Sequence, residues 1–289
     1  MPKKENDVIF SDLRPRLTRL AYRMLGSVAD AEDIVQDAWL RCLNHDGEVR
    51  EPAAFLHTIV TRLCVNELKS ARRRRETYIG PWLPEPFFDP ESDDTTEEIT
   101  LPLMMALERL TPLERAAFLL HDVFGVGFDE VSQILGRDTS ACRKLASRAR
   151  IHIRDARPRF CATKGQGLKL AAAFYAASRT GDMEALRNLL TEDVVIYTDG
   201  GGKVAAPTSP SIGIDAALKL FGALARYFAR APSRLLRYAM IDGLPGFVTV
   251  EDDGIAQTSA ILVSENRIAA IYVTRNPEKL HHLTRSDLH

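Results

Sequence analysis

The sequence predicts a multidomain fold, two all-α modules followed by an α+β domain, on three observations. Apolar residues recur at helical spacing through roughly the first 160 residues. A proline- and acid-rich stretch, GPWLPEPFFDPESDDTTEE, divides this helical part in two and cannot pack a core of its own. After two further helices the pattern changes at Val194, and helices followed by an antiparallel run of strands mark an α+β domain. The expected boundaries are 1–76 and 101–160 for the helical modules, 77–100 for the linker and 167–289 for the α+β domain.

In the first module, Asp30 is read as a helix N-cap, with Ile34, Val35, Ala38, Trp39 and Cys42 on the apolar face that follows. Asp46-Gly47 marks a turn. Pro52 sits where a helix begins, and Phe55, Ile59, Leu63 and Leu68 are read as its apolar stripe, running into Arg72–Arg75. In the linker, Trp82, Leu83, Phe87 and Phe88 are too apolar for an idle spacer, so the segment is expected to dock. In the second module, Thr111-Pro112-Leu113-Glu114 reads as an N-cap with an acidic first turn. A short helix over Phe128–Leu135 ends at Gly136. The next helix, capped by Asp138, Thr139 or Ser140, buries Cys142, Leu145, Ala146, Ala149 and Ile153. In the third block, helices are expected over Leu168–Ser178, Met183–Leu190 and Ile214–Phe228. Strands are expected over Val194–Tyr197, Leu235–Ile241, Gly246–Val250, Ala256–Val263 and Ile268–Val273.

Composition narrows the function. At 45% apolar the chain can bury a core, and a net charge of −1 means that any nucleic-acid role rests on local charge. Cys42, Cys64, Cys142 and Cys161 lie far apart without metal-ligand spacing and read as buried small hydrophobes in a reducing compartment. No metal or cofactor is expected. The N-terminal MPKKENDVIF carries no signal-peptide pattern and no window has the length of a membrane helix, which places the expected location in the cytoplasm.

Phe128–Ile153 has the layout of a helix-turn-helix. Thr139, Ser140, Arg143, Lys144 and Ser147 are candidates for base edges. Arg148, Arg150 and Arg154 are candidates for phosphates. The bland reading is a helical hairpin with a solvated basic face. Arg72–Arg75 is equally a phosphate contact or a solvated helix end favoured by the helix dipole. The acidic face at Glu32, Asp33, Gln36 and Asp37 repels DNA, so it is either a solvated face or the seat of a basic protein partner.

The run LTRLAYRMLGSVADAEDIVQDAWLRCL resembles regions 2.1–2.2 of the extracytoplasmic-function RNA polymerase sigma factors, and Phe55–Arg75 resembles regions 2.3–2.4. LERLTPLERAAFLLHDVFGVGFDEVSQILG with the arginine-rich helix after it looks like region 4. The remainder resembles a subgroup extended by a SnoaL-like domain. Its marks are Trp82-Leu83-Pro84-Glu85-Pro86, Asp199-Gly200-Gly201-Gly202-Lys203 and Asn276-Pro277-Glu278-Lys279-Leu280, where that subgroup has Asp in place of Glu278. The resemblance implies an alternative sigma factor that binds core RNA polymerase through the β′ clamp helices and β flap, and promoter DNA. It implies that Asp33, Gln36 and Asp37 meet the clamp helices. Phe55, Thr58, Arg62, Asn66, Lys69, Arg72 and Arg73 would read the −10 element, and Thr139, Ser140, Arg143, Lys144, Ser147, Arg148 and Arg150 the −35 element. The linker would thread the polymerase near the RNA exit path, and the C-terminal domain would regulate in cis.

The glycine run Asp199–Lys203 has three readings. A phosphate loop fits poorly, since Val204 stands where Ser or Thr should follow Lys203. Cones of this class can hold a pocket and acid–base chemistry, here from Asp199, Tyr197 and His281 or His282. No residue spacing compels that reading, and no catalytic residue is assigned. The third reading is a docking loop against region 2 or the WLPEP segment, with a plain tight turn as its bland form. Trp82, Leu83, Pro84, Asp199, Gly200, Gly201, Gly202, Lys203, Asn276, Pro277, Glu278, Lys279 and Leu280 are the candidate regulatory contacts. Beside the sigma-factor reading stands an alternative, a DNA-binding regulator whose cone senses or processes a small apolar ligand.

Overall fold

The computed structural model describes residues 3–45, 51–88, 100–154 and 163–286. The turn expected at Asp46-Gly47 and the thiol of Cys161 lie outside them. The chain divides into two compact units. One comprises Met1–Glu76 with Asp94–Arg157, and the other comprises Thr77–Asp93 with Pro158–His289. The linker segment before residue 89 therefore belongs with the C-terminal domain.

The first unit is helical: α1 (Lys3–Leu25), α2 (Val28–Leu43), α3 (Pro52–Glu76), α4 (Leu101–Leu107), α5 (Pro112–Phe118), α6 (Phe128–Leu135) and α7 (Thr139–Ile153). Ser27, not Asp30, caps α2. The Asp30 N–H donates to Ser27 Oγ at 3.2 Å, so Asp30 sits in the first turn, where its charge suits the helix dipole. α3 starts at Pro52, but its buried stripe is Leu56, Val60, Cys64 and Leu68. The expected Phe55, Ile59 and Leu63 are only half-buried. Thr111 and Glu114 close a capping box at α5, and the chain continues as one π-helical turn, Leu119–Val123. Asp138 caps α7, whose buried face is Cys142, Ala146, Ala149 and Ile153, with Leu145 half-buried.

The fully buried Arg115 joins α1 to α4 and α5. It donates to Met24 O at 2.6 Å and Leu107 O at 2.9 Å, and pairs with Glu108 at 2.9 Å. Burial pulls its pKa down to about 9, which leaves it charged at neutral pH.

The second unit holds α8 (Lys164–Thr180), α9 (Met183–Leu189), β1 (Leu190–Asp199), β2 (Ser211–Ile212), α10 (Ile214–Phe228), β3 (Arg234–Ile241), β4 (Leu244–Val250), β5 (Ala256–Ser264), β6 (Arg267–Thr274) and α11 (His281–Ser286). The strands form one sheet in the order β2-β1-β6-β5-β4-β3. β3 to β6 run antiparallel as expected, but β1 pairs with β6 in parallel, so the sheet is mixed. Register shifts in β1, β3 and β5 mark bulges, the device that bends a sheet. Phe174 of α8 and Phe221 of α10 meet Phe247, Ile261 and Ile271 of the sheet in the main core.

Side chains of a strand alternate between faces. Ile196 and Thr198 of β1 line an internal cavity together with Ile271 and Val273 of β6. Tyr197, Asp199 and Tyr272, at the intervening positions, belong to the other face, where the two tyrosine rings stack at 5.3 Å. The linker lies at Asp199.

Candidate functional site

The buried Asp199 carboxylate is the centre of the linker contact. Its Oδ1 accepts from the Tyr78 hydroxyl at 2.5 Å and the Gly201 N–H at 3.1 Å. Its Oδ2 accepts from the Leu83 N–H at 2.8 Å and Lys279 Nζ at 2.7 Å. Four donors fill the roughly four lone-pair positions of a carboxylate. Burial, and then the hydrogen bond to Asp199, push the Tyr78 phenol pKa well up, so it stays a donor. Lys279 Nζ also donates to Leu83 O and lies over the rings of Trp82 (4.3 Å) and Tyr78 (4.7 Å). Asn276 donates to Tyr78 Oη at 2.8 Å and caps a 3-10 turn, Pro277–Lys279, that delivers Lys279 to the site.

The glycines make room for this contact. Gly201 has φ +58°, and a Cβ there would lie 2.3 Å from Asn276 Nδ2 and 2.9 Å from Tyr78 Oη. Gly202 has φ +69°, and its Cβ would meet Ile79 at 2.8 Å. Both need the left-handed region and bare backbone. Lys203, by contrast, forms an exposed pair with Glu278 at 3.1 Å.

The linker continues extended over the domain. Leu83, Pro84 and Pro86 are buried, and Pro86 O lies 2.8 Å from His282 Nε2. Phe87 O accepts from the Asp242 N–H at 2.9 Å, in the β3–β4 turn. Phe88 packs on Leu280 and Leu283 and lies under Arg237.

The structure thus brings together Trp82, Leu83, Asp199, Gly200–Gly202, Asn276, Lys279 and Leu280. Sequence reasoning missed Tyr78 and Asp242, although an aromatic residue two positions before GPWLPEP was a usable signal for the first. The acid–base arrangement of Asp199, Tyr197 and a histidine does not form. Asp199 is saturated by four donors and Tyr197 stacks on Tyr272, while the ring nitrogens of His281 and His282 lie against the carbonyls of Glu278 and Pro86.

In the first unit, Asp33 and Gln36 are exposed on α2, and Asp37 pairs with Arg41 at 2.9 Å. Phe55, Thr58, Arg62, Asn66 and Lys69 share one face of α3 by their spacing. The Thr58 hydroxyl is spent on Ala54 O. Arg62 donates to Ile134 O at 3.0 Å and Gln133 O at 3.2 Å, the negative carbonyl end of α6. The side chains of Arg72 and Arg73 lie outside the described residues. On α7, Ser140, Arg143, Lys144, Ser147 and Arg148 are exposed. Thr139 bonds Asp129 at 3.3 Å, Arg143 lies over the Phe128 ring, and Arg150 pairs with Asp122 at 2.7 Å. Cys42, Cys64 and Cys142 are buried free thiols. Among the described residues there is no metal-binding cluster, and no helix is long and apolar enough to cross a membrane.

Comparison with known proteins matches this division. The Sigma-70 region 2 family model matches residues 9–74 and the Sigma-70 region 4 model residues 100–153. The chain is 35% identical over 286 residues to the ECF RNA polymerase sigma factor SigJ of Mycobacterium tuberculosis, covering 93% of this chain and 91% of that one. It is 30% identical to the probable ECF sigma factor SigI of the same species, with 92% of each chain covered. The crystal structure of M. tuberculosis SigJ aligns with a TM-score of 0.75 at 32% identity, over 95% of this chain and 98% of that one. Likeness along the whole length to sigma factors favours that reading over the separate ligand-sensing regulator. With helical regions 2 and 4 and an α+β extension all matched, the chain belongs to the extracytoplasmic-function RNA polymerase sigma factors.

Proposed function

We propose that this alternative sigma factor, which directs core RNA polymerase to its promoters, is held in check by its own C-terminal domain through the linker. The observation that carries this reading is the Asp199 carboxylate, which takes two of its four hydrogen bonds from linker atoms. A linker bonded to the C-terminal domain is not free to thread the polymerase, so docking competes with holoenzyme assembly. Because the two partners are tethered, the effective concentration is about millimolar, and a modest contact suffices to close the latch.

In this reading Asp33, Gln36 and Asp37 meet the β′ clamp helices, and the region 4 module meets the β flap. The α3 face carrying Phe55, Arg62, Asn66 and Lys69 reads the −10 element. Arg62 must first leave the α6 carbonyls. The exposed side of α7 reads the −35 element in the major groove. The work is done in the cytoplasm, beside the polymerase. The family acts by promoter recognition rather than catalysis, and the saturated Asp199 is used here as an anchor, not as a base.

The test is transcription in vitro with core polymerase on the protein's own upstream region, comparing the full chain with its Gly201→Val variant. A Cβ at that position collides with Asn276 and Tyr78, so the linker cannot seat. The expected outcome is more transcript from the variant, with an unchanged circular dichroism spectrum. Equal or lower transcription from a folded variant sinks the brake.

A further inference from the structure

From Ala216 to Met240 the sequence carries five cations, Lys219, Arg226, Arg230, Arg234 and Arg237, and no acid. Arg230, Arg234 and Arg237 are exposed, and the last two stand on β3. β3 is an edge strand, paired on one side only, with β4. The pairing of Arg234 with Val250 brings the β4–β5 turn beside this strip, but the acids there are engaged elsewhere. Glu251 pairs with Arg179, Asp252 accepts from the Tyr227 hydroxyl, and Asp253 pairs with Arg275 at 3.1 Å. The strip thus carries positive charge that the neighbouring turn does not balance. The described part of the linker ends on it. Phe87 donates its N–H to Asp242 Oδ2 at 3.3 Å and accepts at its O from the Asp242 N–H at 2.9 Å. One residue on, the Arg237 guanidinium lies 4.4 Å over the ring of Phe88. Arg237 precedes Asp242 by five positions, so the linker heads back along β3 toward Arg234. Next in sequence comes DPESDDTTEE, residues 89–98, with six acids in ten and no cation.

We propose that the acidic segment Asp89–Asp93 seats on the Arg230–Arg234–Arg237 strip and extends the linker contact along the edge of β3. Charge is the first reason, since an all-acidic segment follows the point where an acid-free basic strip begins. Spacing is the second. Asp89, Glu91 and Asp93 alternate, so an extended segment turns all three to one side. From Arg237 to Arg234 β3 advances about 10 Å, and three extended residues after Phe88 cover about the same distance. Glu91 then comes level with Arg234, and Asp93 lies toward Arg230. The edge itself is the third reason, because proteins guard an unpaired edge with charge or cover it with a loop. DNA is the other polyanion that such a strip would suit. The linker has the advantage of being anchored one residue away, which gives an effective concentration of about millimolar or above. The resulting contact is an exposed, salt-sensitive rim, whereas the Asp199–Lys279 pair is buried. The proposal rests on the linker docking of the reading above but not on the brake, and its test needs no polymerase.

The experiment uses the full chain carrying Arg234→Lys, which keeps the charge and supplies an amine. A carbodiimide joins an amine to a carboxylate only where the two meet, and peptide mass spectrometry locates the new amide. Coupling of the introduced amine to Glu91 or its neighbours Asp89 and Asp93 is expected. Its yield should fall about fivefold or more between roughly 0.05 and 1 M salt, as the screening length shrinks to about 3 Å. Lys219, about 16 Å further along α10 from Arg230 by helical rise, is the internal reference and should couple far less. Arg230→Lys should give coupling centred on Asp93. Because both variants sit at exposed positions and keep their charge, an unchanged circular dichroism spectrum is expected. Absence of coupling to residues 89–93 in the folded chain at low salt overturns the proposal. Coupling no greater than that of Lys219 overturns it too, as does coupling only between labelled and unlabelled chains in a mixture, which would make a second copy the occupant. Protection of the introduced amine by added duplex DNA, with no coupling to the segment, would assign the strip to phosphates and likewise overturn it.

Discussion

Each unit buries a cation, Arg115 in the first and Lys279 in the second, and the two are held in different ways. Arg115 spreads its rigid fork over two main-chain carbonyls, Met24 O and Leu107 O, and the Glu108 carboxylate. All three belong to helices or helix ends that the fold keeps in place. Lys279 has its counter-charge, Asp199, in its own domain, but its carbonyl and both of its rings come from the linker. If the linker leaves, Asp199 and Lys279 keep one another and become hydrated, so no charge is stranded. What is lost is a few hydrogen bonds and the packing of Trp82, Leu83 and the prolines. The first arrangement ties helices of one unit together, while the second ties the linker segment to the C-terminal domain.

The largest expected effects break each cation in turn. Arg115→Met should cost the first unit about 3–5 kcal/mol, and Lys279→Met the second unit a similar amount, because each strands buried polar groups. The rescue variants separate them. Asp199→Asn should recover much of the Lys279→Met loss, since the stranded charge disappears. Glu108→Gln should recover little of the Arg115→Met loss, because Met24 O and Leu107 O still lack a donor. Hydrogen exchange read separately over the two units measures both, and equal rescue in the two pairs would break the distinction.

The same contrast marks what the sequence could convey. The helix Ile214–Phe228 was legible to both ends, because its apolar face and polar flanks leave one choice. The core stripe of α3 was not. Phe55 and Leu56, Ile59 and Val60, and Leu63 and Cys64 stand as adjacent apolar pairs, so spacing cannot say which member of each faces inward. Packing of α1 and α2 against α3 decides it. The parallel pairing of β1 with β6 joins strands separated by most of the domain, and nothing local in either strand encodes the partner. The three motifs of the linker contact stood out in the sequence as short glycine- and proline-marked strings. Tyr78 and Arg115 did not, since their importance lies in partners far away along the chain.

An intermediate effect is expected on the exposed side of α7, where charge meets solvent rather than a fixed partner. Arg143→Ala should weaken promoter binding by about 1–3 kcal/mol and leave folding unchanged. Arg148→Ala should weaken binding on any sequence and lower the salt dependence by about one counterion. Arg150 is already paired with Asp122, so Arg150→Ala should change affinity less than Arg148→Ala. Fluorescence anisotropy with promoter and scrambled duplexes over a salt series reads all three, and identical losses on both duplexes for Arg143→Ala would remove it from base reading.

The smallest effect is expected at Lys203, which closes the Asp199–Lys203 string and by position looks as essential as the rest. Its ammonium pairs with Glu278 at 3.1 Å, but the two side chains are 55% and 63% exposed. Water and salt screen such a pair, whose worth is about 0–1 kcal/mol. Lys203→Ala should therefore leave the linker docked and the stability of the second unit nearly unchanged, with any residual effect vanishing by about 1 M salt. Trp82, the tryptophan of that unit, reports docking through its fluorescence. A large undocking by Lys203→Ala would mean that the turn is held by its rim charge rather than by the Gly201 N–H at Asp199 and the close approach of Asn276 and Tyr78. The centre of the linker contact would then lie in the solvent-exposed pair and not in the buried one.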